Sequence, residues 1–185
     1  MSGDDQRAVI AYLSRPGSYG SGVTAVEIIT THASMVFLAG DRAFKLKRAV
    51  RYCYLDFSTQ ALRRDACETE LALNRRTAPE LYLAVRSLNR LANGEIAFDG
   101  PDPALDWVVV MRRFDQSTLF DRLATDGELT ASLMTRLTDR IAAFHDSTER
   151  TPEHGGKIGV ADVLAINERA LAGFTPTTFD PLKVS

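Results

Sequence analysis

Cysteine is scarce: Cys53 and Cys67 are the two in the chain, and they fit neither a metal-ligand spacing nor a disulfide framework. Their scarcity excludes a disulfide-stapled secreted scaffold and favours a reducing compartment. The three histidines, His32, His145 and His154, are too scattered to suggest one metal site. No apolar run approaches the roughly 18 residues of a membrane span. The opening segment carries Asp4 and Asp5 where a secretory signal would carry basic residues. A soluble cytoplasmic protein without a membrane partner is therefore expected. Charge of one sign is lacking as well. Lys and Arg total 22 against 24 Asp and Glu, a formal charge of -2, which gives no global reason to expect a nucleic acid partner.

What is present has the balance of a globular protein, 45% hydrophobic and 25% charged, in a length that suits one domain or two small lobes. Residues 5–14 read as a short amphipathic helix with Val9, Ile10 and Leu13 on one side. Residues 16–22, rich in Gly and Ser, read as a loop or linker. Extended segments follow at 26–30, 35–38 and 43–50, with Gly40-Asp41-Arg42 as a hairpin turn. Ser58 or Thr59 caps a helix that runs to about residue 76 and stops before Pro79. Strands are expected at 81–88 and 107–111, with a turn at Asn93-Gly94 and a loop over 99–103. Beyond residue 115 the pattern is helical: a short helix at 119–123, then a longer one capped by Thr130. The longer helix carries Leu133, Leu137, Ile141 and Phe144 as one stripe. Residues 151–156 break it, and 160–171 make another. This order is an α+β layout, a β-rich lobe with one embedded helix joined near Phe114 to a helical one.

Three features have chemical content. In the strand at 43–50, Ala43, Lys45 and Lys47 share one face, and Phe44 and Leu46 the other. Such a strand is consistent with lysines in solvent, or with Ala43 and Lys45 against a nucleotide and the ammonium on its phosphates. On the helix at 58–76, Leu62, Ala66 and Leu73 fall within about 40° of one another, and Cys67 and Leu71 widen the apolar arc to about 180°. Glu70 lies inside that arc and Glu68 opposite it. A carboxylate on a buried face needs a partner. For Glu70 the choices are a strand lysine, or Arg63 or Asn74 on its own helix. Third, the apolar run 107–111 ends in Met111 and leaves through Arg112-Arg113-Phe114, as a core strand does when it becomes a connector. Backbone groups there could meet an adenine edge.

With these residues in view, the chain resembles the aminoglycoside phosphotransferase branch of the kinase-like fold. More narrowly, it is similar to bacterial bifunctional aminoglycoside phosphotransferase and ATP-binding proteins. The resemblance rests on the run from Thr31 to Arg42, on Phe44-Lys45-Leu46-Lys47, and on Tyr54-Leu55-Asp56-Phe57. Cys67-Glu68-Thr69-Glu70, Met111-Arg112-Arg113-Phe114 and Ala143-Phe144-His145 also carry it. It covers residues 24–174 and implies a protein-kinase-like fold. Residues 1–22 would be an N-terminal helix and linker, 23–114 the β-rich N-lobe with its connector, 115–174 the start of the helical C-lobe, and 175–185 a tail.

The resemblance further implies that Lys45 is the phosphate-binding lysine, with Lys47 as alternate on the same face. Glu70 is its ion-pair partner, Glu68 being the other choice. Thr31 to Ser34 is the turn that covers phosphates, although it lacks the Gly-x-Gly-x-x-Gly spacing. Ala43, Met111 and Arg113 complete the nucleotide site. ATP and Mg²⁺ are the implied cofactors and a small-molecule hydroxyl the implied acceptor. A further C-terminal ATP-binding domain is common in the proteins resembled.

Phosphoryl transfer also requires a catalytic Asp, an Asn five residues later and a second metal-binding Asp. Asp162 and Asn167 have that spacing, but the sequence around them reads as helix, and position 160 is Val where the motif has His. Gly155-Gly156-Lys157-Ile158 is no Walker A loop, because residue 158 is neither Ser nor Thr. The catalytic loop and Mg²⁺ ligands are thus expected outside this chain, which would be a truncated enzyme. The alternatives are a non-catalytic kinase-like binding module, or a polyanion surface made by Lys45, Lys47, Arg48, Arg51, Arg75, Arg76, Arg112 and Arg113.

Overall fold

The structure, a computed structural model, describes residues 3–101, 103–152 and 155–172. Their elements run α1 (Gly3–Leu13), β1 (Val26–Thr30), β2 (Ser34–Ala39), β3 (Arg42–Lys47), β4 (Arg51–Tyr52), β5 (Leu55–Asp56), α2 (Gln60–Asn74), β6 (Tyr82–Arg90), β7 (Ile96–Phe98), β8 (Ala104–Arg112), α3 (Phe120–Thr125), α4 (Ala131–Ser147) and α5 (Gly156–Ala172). The chain is thus mixed α and β. It divides into two compact units, one reaching Met134 and one beginning at Thr135.

In the first unit six strands form one antiparallel sheet in the order β1-β2-β3-β8-β6-β7. Local chemistry sets its turns. Ala39 pairs with Arg42 across the two-residue turn Gly40-Asp41, and Gly40 takes the left-handed φ of 58° without a Cβ penalty. Alternation then gives the sheet two unlike faces. Phe37, Ala39, Phe44, Leu46, Leu88, Val108 and Val110 form a core closed by Val9 and Leu13 of α1. Residues 16–22, a linker by composition, contain a 3-10 turn over Pro16–Tyr19. Tyr19 packs its ring 4.7 Å from Phe44 and donates its hydroxyl to the Leu13 carbonyl.

The opposite face carries α2, held by a buried ion pair. Arg63, 3% exposed, donates through Nε to both carboxylate oxygens of the fully buried Asp106, at 2.9 and 3.0 Å. Its Nη1 donates to the Phe57 carbonyl. The remaining capacity of Asp106 is met by Gln6 of α1 and by the Trp107 N–H. Gln6 also donates to the Lys47 carbonyl and accepts from the Ala49 N–H. One carboxylate therefore joins α1, α2 and β8, and Gln6 ties the end of β3 to the same cluster.

Several sequence expectations are corrected here. The buried stripe of α2 is Arg63 and Cys67, while Leu62 and Leu73 are 39% and 55% exposed. The reason lies in the partner surface: the sheet offers α2 a carboxylate and lysines, so charged residues take the buried side. The strand expected over 43–50 ends at Lys47, where the chain turns into the β4–β5 hairpin, an element too short for periodicity to reveal. Helix α2 starts from Thr59, whose hydroxyl accepts from the Leu62 N–H, and ends at Asn74. Helix α5 begins at Gly156, four residues before the expected start.

In α4, Leu133, Leu137 and Phe144 are half-buried and Ile141 is exposed. Thr130 caps it as expected, accepting from the Leu133 N–H. Residues 173–185, including the tail, lie outside the described residues.

The buried pair gives a direct expectation. Arg63→Ala or Asp106→Ala leaves an uncompensated buried charge and should lower unfolding free energy by about 3–5 kcal/mol. The joint replacement Arg63→Met with Asp106→Leu should cost less than the sum, as read by urea denaturation of the four proteins.

Candidate functional site

The face of the sheet that bears α2 also lines a cavity of about 590 Å³, within the range of small-ligand sites. Pairing explains its walls. Ser34 lies opposite Lys47, Val36 opposite Lys45, Leu38 opposite Ala43, and Ala43 opposite Met111. Strand alternation therefore brings Ser34, Ala43, Lys45, Lys47 and Met111 to one surface, and Arg113 joins them from the connector. Every site residue named from the sequence, Thr31 to Ser34, Ala43, Lys45, Lys47, Met111 and Arg113, lines the cavity, apart from Glu70 and its alternate Glu68. Glu70 reaches it through the lysines.

Seven residues separate Glu70 from Arg63, two helical turns, so both side chains leave α2 on the same side about 10 Å apart. Glu70 Oε1 accepts from Lys45 Nζ at 2.9 Å, and Oε2 accepts from Lys47 Nζ. The choice left open by the sequence is resolved in favour of the strand lysines. Asn74 donates to the Glu70 backbone carbonyl, Arg63 is committed to Asp106, and Glu68 pairs with Arg64 on the outer side. Burial raises the cost of ionising Glu70, but the hydrogen bonds from Lys47 and Lys45 outweigh it and hold the carboxyl below its usual range.

The two lysines are not equivalent. The Lys47 side chain is 8% exposed, and its ammonium lies 5.3 Å from the centre of the Phe57 ring. The Lys45 side chain is 30% exposed. Two ammoniums on one carboxylate leave a net positive charge at this end of the cavity, and Lys45 is the group free to share it with a ligand. Behind them Cys67 is fully buried; burial pushes its thiol up to about 12, which makes it inert at neutral pH.

Next to the lysines, β1 and β2 are joined by Thr31, His32 and Ala33. The Thr31 hydroxyl accepts from the Ser34 N–H, and the Thr31 N–H donates to the Ser34 carbonyl. Arg48 Nη1 donates to the carbonyls of Thr31 and His32 at 2.9 and 3.0 Å, and the Arg48 N–H to the Ala33 carbonyl. The N–H groups of His32 and Ala33 have no acceptor among the described residues. At the other end of the cavity, the Arg112 and Arg113 N–H groups donate to the carbonyls of Leu81 and Asp41. Phe114 is the next residue whose N–H has no acceptor among the described residues. The Arg113 guanidinium pairs with Glu27 at 3.0 Å.

Sequence reasoning missed Leu55, Phe57, Tyr82 and Gln116, which also line the cavity. Leu55 and Phe57 belong to the unforeseen hairpin and its exit, and Tyr82 begins β6; none carries a motif. Several of the basic residues considered as a polyanion surface are engaged within the chain. Arg51 meets Asp56, Arg75 donates to the Tyr82 and Leu83 carbonyls, and Arg48 holds the turn. Asp162 and Asn167 lie exposed on α5, so the helical reading that set them aside agrees with the structure. No cluster of three His, Cys, Asp or Glu side chains that could hold a metal occurs among the described residues.

No family model matches the sequence, and no solved structure matches it. Uncharacterized proteins of Mycobacterium bovis and of two strains of Mycobacterium tuberculosis are each 33% identical over 125 residues, 68% of this chain and 23% of theirs. The matched segment thus spans about a quarter of the length of these curated relatives.

Because the Glu70 carboxyl is held below its unfolded value, its contribution to stability is present above about pH 4.3 and is lost as pH falls through the folded value. Urea unfolding of the native chain and of Glu70→Gln should differ by a constant amount near neutrality. The gap should close in acid; one that persisted or widened there would contradict the ion-pair geometry.

Proposed function

We propose that this chain forms the nucleotide-binding lobe of an ATP-dependent phosphotransferase of protein-kinase-like fold, acting on a hydroxyl of a small molecule. The observation that carries the reading is the Lys45–Glu70 contact at 2.9 Å between the third strand and the helix that follows. Transfer of a phosphoryl group is mostly positioning and charge stabilisation, so an ammonium held at a fixed point over a cavity is the part such a lobe must supply. The site residues then divide by role. Lys45 binds the phosphates, and Glu70 orients it. Lys47, pinned between Glu70 and Phe57, keeps the carboxylate in place.

The apolar walls, Val36, Leu38, Ala43 and Met111, suit a purine ring, and the Phe114 N–H is the connector donor left for its edge. Magnesium, when bound, neutralises charge on the phosphates. In this reading its ligands, and the base that accepts the acceptor's proton, are contributed by residues outside those described. The greater length of the mycobacterial relatives leaves room for them, and for the further ATP-binding domain that the resemblance implies. A cytoplasmic location accompanies the reading, since that is where ATP is supplied. No helix among the described residues is long and apolar enough to cross a membrane.

Calorimetric titration with ATP separates the roles. Lys45→Met should weaken binding by about tenfold or more while leaving the melting temperature nearly unchanged, because its ammonium is the exposed one. Lys47→Met should lower the melting temperature first. Failure of the native chain to bind ATP would instead favour a non-catalytic kinase-like module.

A further inference from the structure

Arg48 takes no part in the cavity wall, yet it contacts three consecutive carbonyls of the turn that does. Its guanidinium holds Thr31 and His32, and its backbone N–H holds Ala33. The Tyr52 hydroxyl, from the β4–β5 hairpin, adds a second donor to the His32 carbonyl at 3.3 Å. In a trans peptide the carbonyl and the following N–H point in opposite directions. Drawing the Thr31 and His32 carbonyls toward Arg48 therefore turns the N–H groups of His32 and Ala33 the other way. Those are the two turn donors without an acceptor among the described residues. Thr31, His32, Ala33 and Ser34 line the cavity and neither Arg48 nor Tyr52 does, so the side away from Arg48 is the cavity side. Two successive N–H groups directed the same way make a concavity for an anion.

We propose that Arg48 is a positioning residue for a polyphosphate: it sets the His32 and Ala33 N–H groups toward the cavity end that Lys45 and Lys47 make positive. This rests on the nucleotide reading above and adds to it a fixed turn in place of a glycine-rich one. A glycine-rich loop gains its grip by closing over the ligand. Here the grip is made in advance by a side chain at the exit of β3, so ordering the turn costs little when the ligand binds. Arginine suits the task because one planar guanidinium reaches two adjacent carbonyls, which an ammonium on a flexible stem cannot hold as rigidly.

The test compares ATP, inorganic triphosphate and adenosine as ligands, titrated by calorimetry into the native chain, Arg48→Met and Arg48→Lys. The expected result is a loss of about tenfold for ATP and triphosphate in Arg48→Met, with adenosine within about twofold of the native value. Arg48→Lys should fall between. A purely structural role for Arg48 would weaken all three ligands together, and that result overturns the proposal. So does an Arg48→Met protein that binds ATP as tightly as the native chain. If Arg48→Met does not fold, Arg48→Lys carries the comparison, and equal losses for triphosphate and adenosine in it decide against the proposal. A native chain that binds neither ATP nor triphosphate overturns the nucleotide reading itself, whereas native binding without a selective loss overturns the Arg48 assignment alone.

Discussion

The seat of α2 on the sheet depends on one buried ion pair. Arg63 and Asp106 are desolvated together, which is tolerable because both Asp106 oxygens are saturated by Arg63, Gln6 and the Trp107 N–H. Such a pair adds little net stability compared with apolar packing, but it permits few alternatives: any slide or rotation of α2 would strand a buried charge. Since Glu70 lies two turns further along the same helical side, the register fixed at Arg63 also fixes where the Glu70 carboxylate arrives. Gln6 extends the constraint to α1 and to the end of β3, so the lysine strand and the glutamate helix are referenced to the same carboxylate.

The site inherits its electrostatics from that placement. Three charges converge, two positive and one negative, and the surplus is positive at the cavity end beneath the His32-Ala33 turn. The more buried lysine and the carboxylate neutralise each other where water is scarce, which leaves the more exposed Lys45 to attract an anion. The opposite end combines apolar Leu38, Ala43 and Met111 with Arg112, Arg113 and Gln116, and it finishes at a connector whose first donors are already used by the carbonyls of Leu81 and Asp41. In the proposed reading, the end at Lys45 takes the phosphates, and the wall of Leu38, Ala43 and Met111 takes the base.

Much of this was legible in the sequence, for identifiable reasons. Strand alternation placed Ala43, Lys45 and Lys47 on one face, and helical periodicity chose Glu70 over Glu68, because both are local rules. Short-range turn chemistry located the hairpin at Gly40-Asp41-Arg42 and narrowed the α2 cap to Ser58 or Thr59. What escaped was set by tertiary partners. Apolar periodicity placed Leu62 and Leu73 on the buried side of α2, but that side faces polar groups of the sheet that sequence patterns do not reveal. Asp106 precedes an apolar run and belongs to no motif, and only the fold brings Arg63 and Gln6 to it. The β4–β5 hairpin is too short to carry a period. The clamp by Arg48 depends on a side chain reaching back across a hairpin, for which no motif exists.

The most direct measurement is a crystal structure of the chain with a non-hydrolysable ATP analogue. The account predicts phosphate oxygens within about 3 Å of Lys45 Nζ and of the His32 or Ala33 N–H, with Lys45 still paired to Glu70 and the purine against Met111. An analogue bound elsewhere, or bound in the cavity with its phosphates away from Lys45, would contradict it.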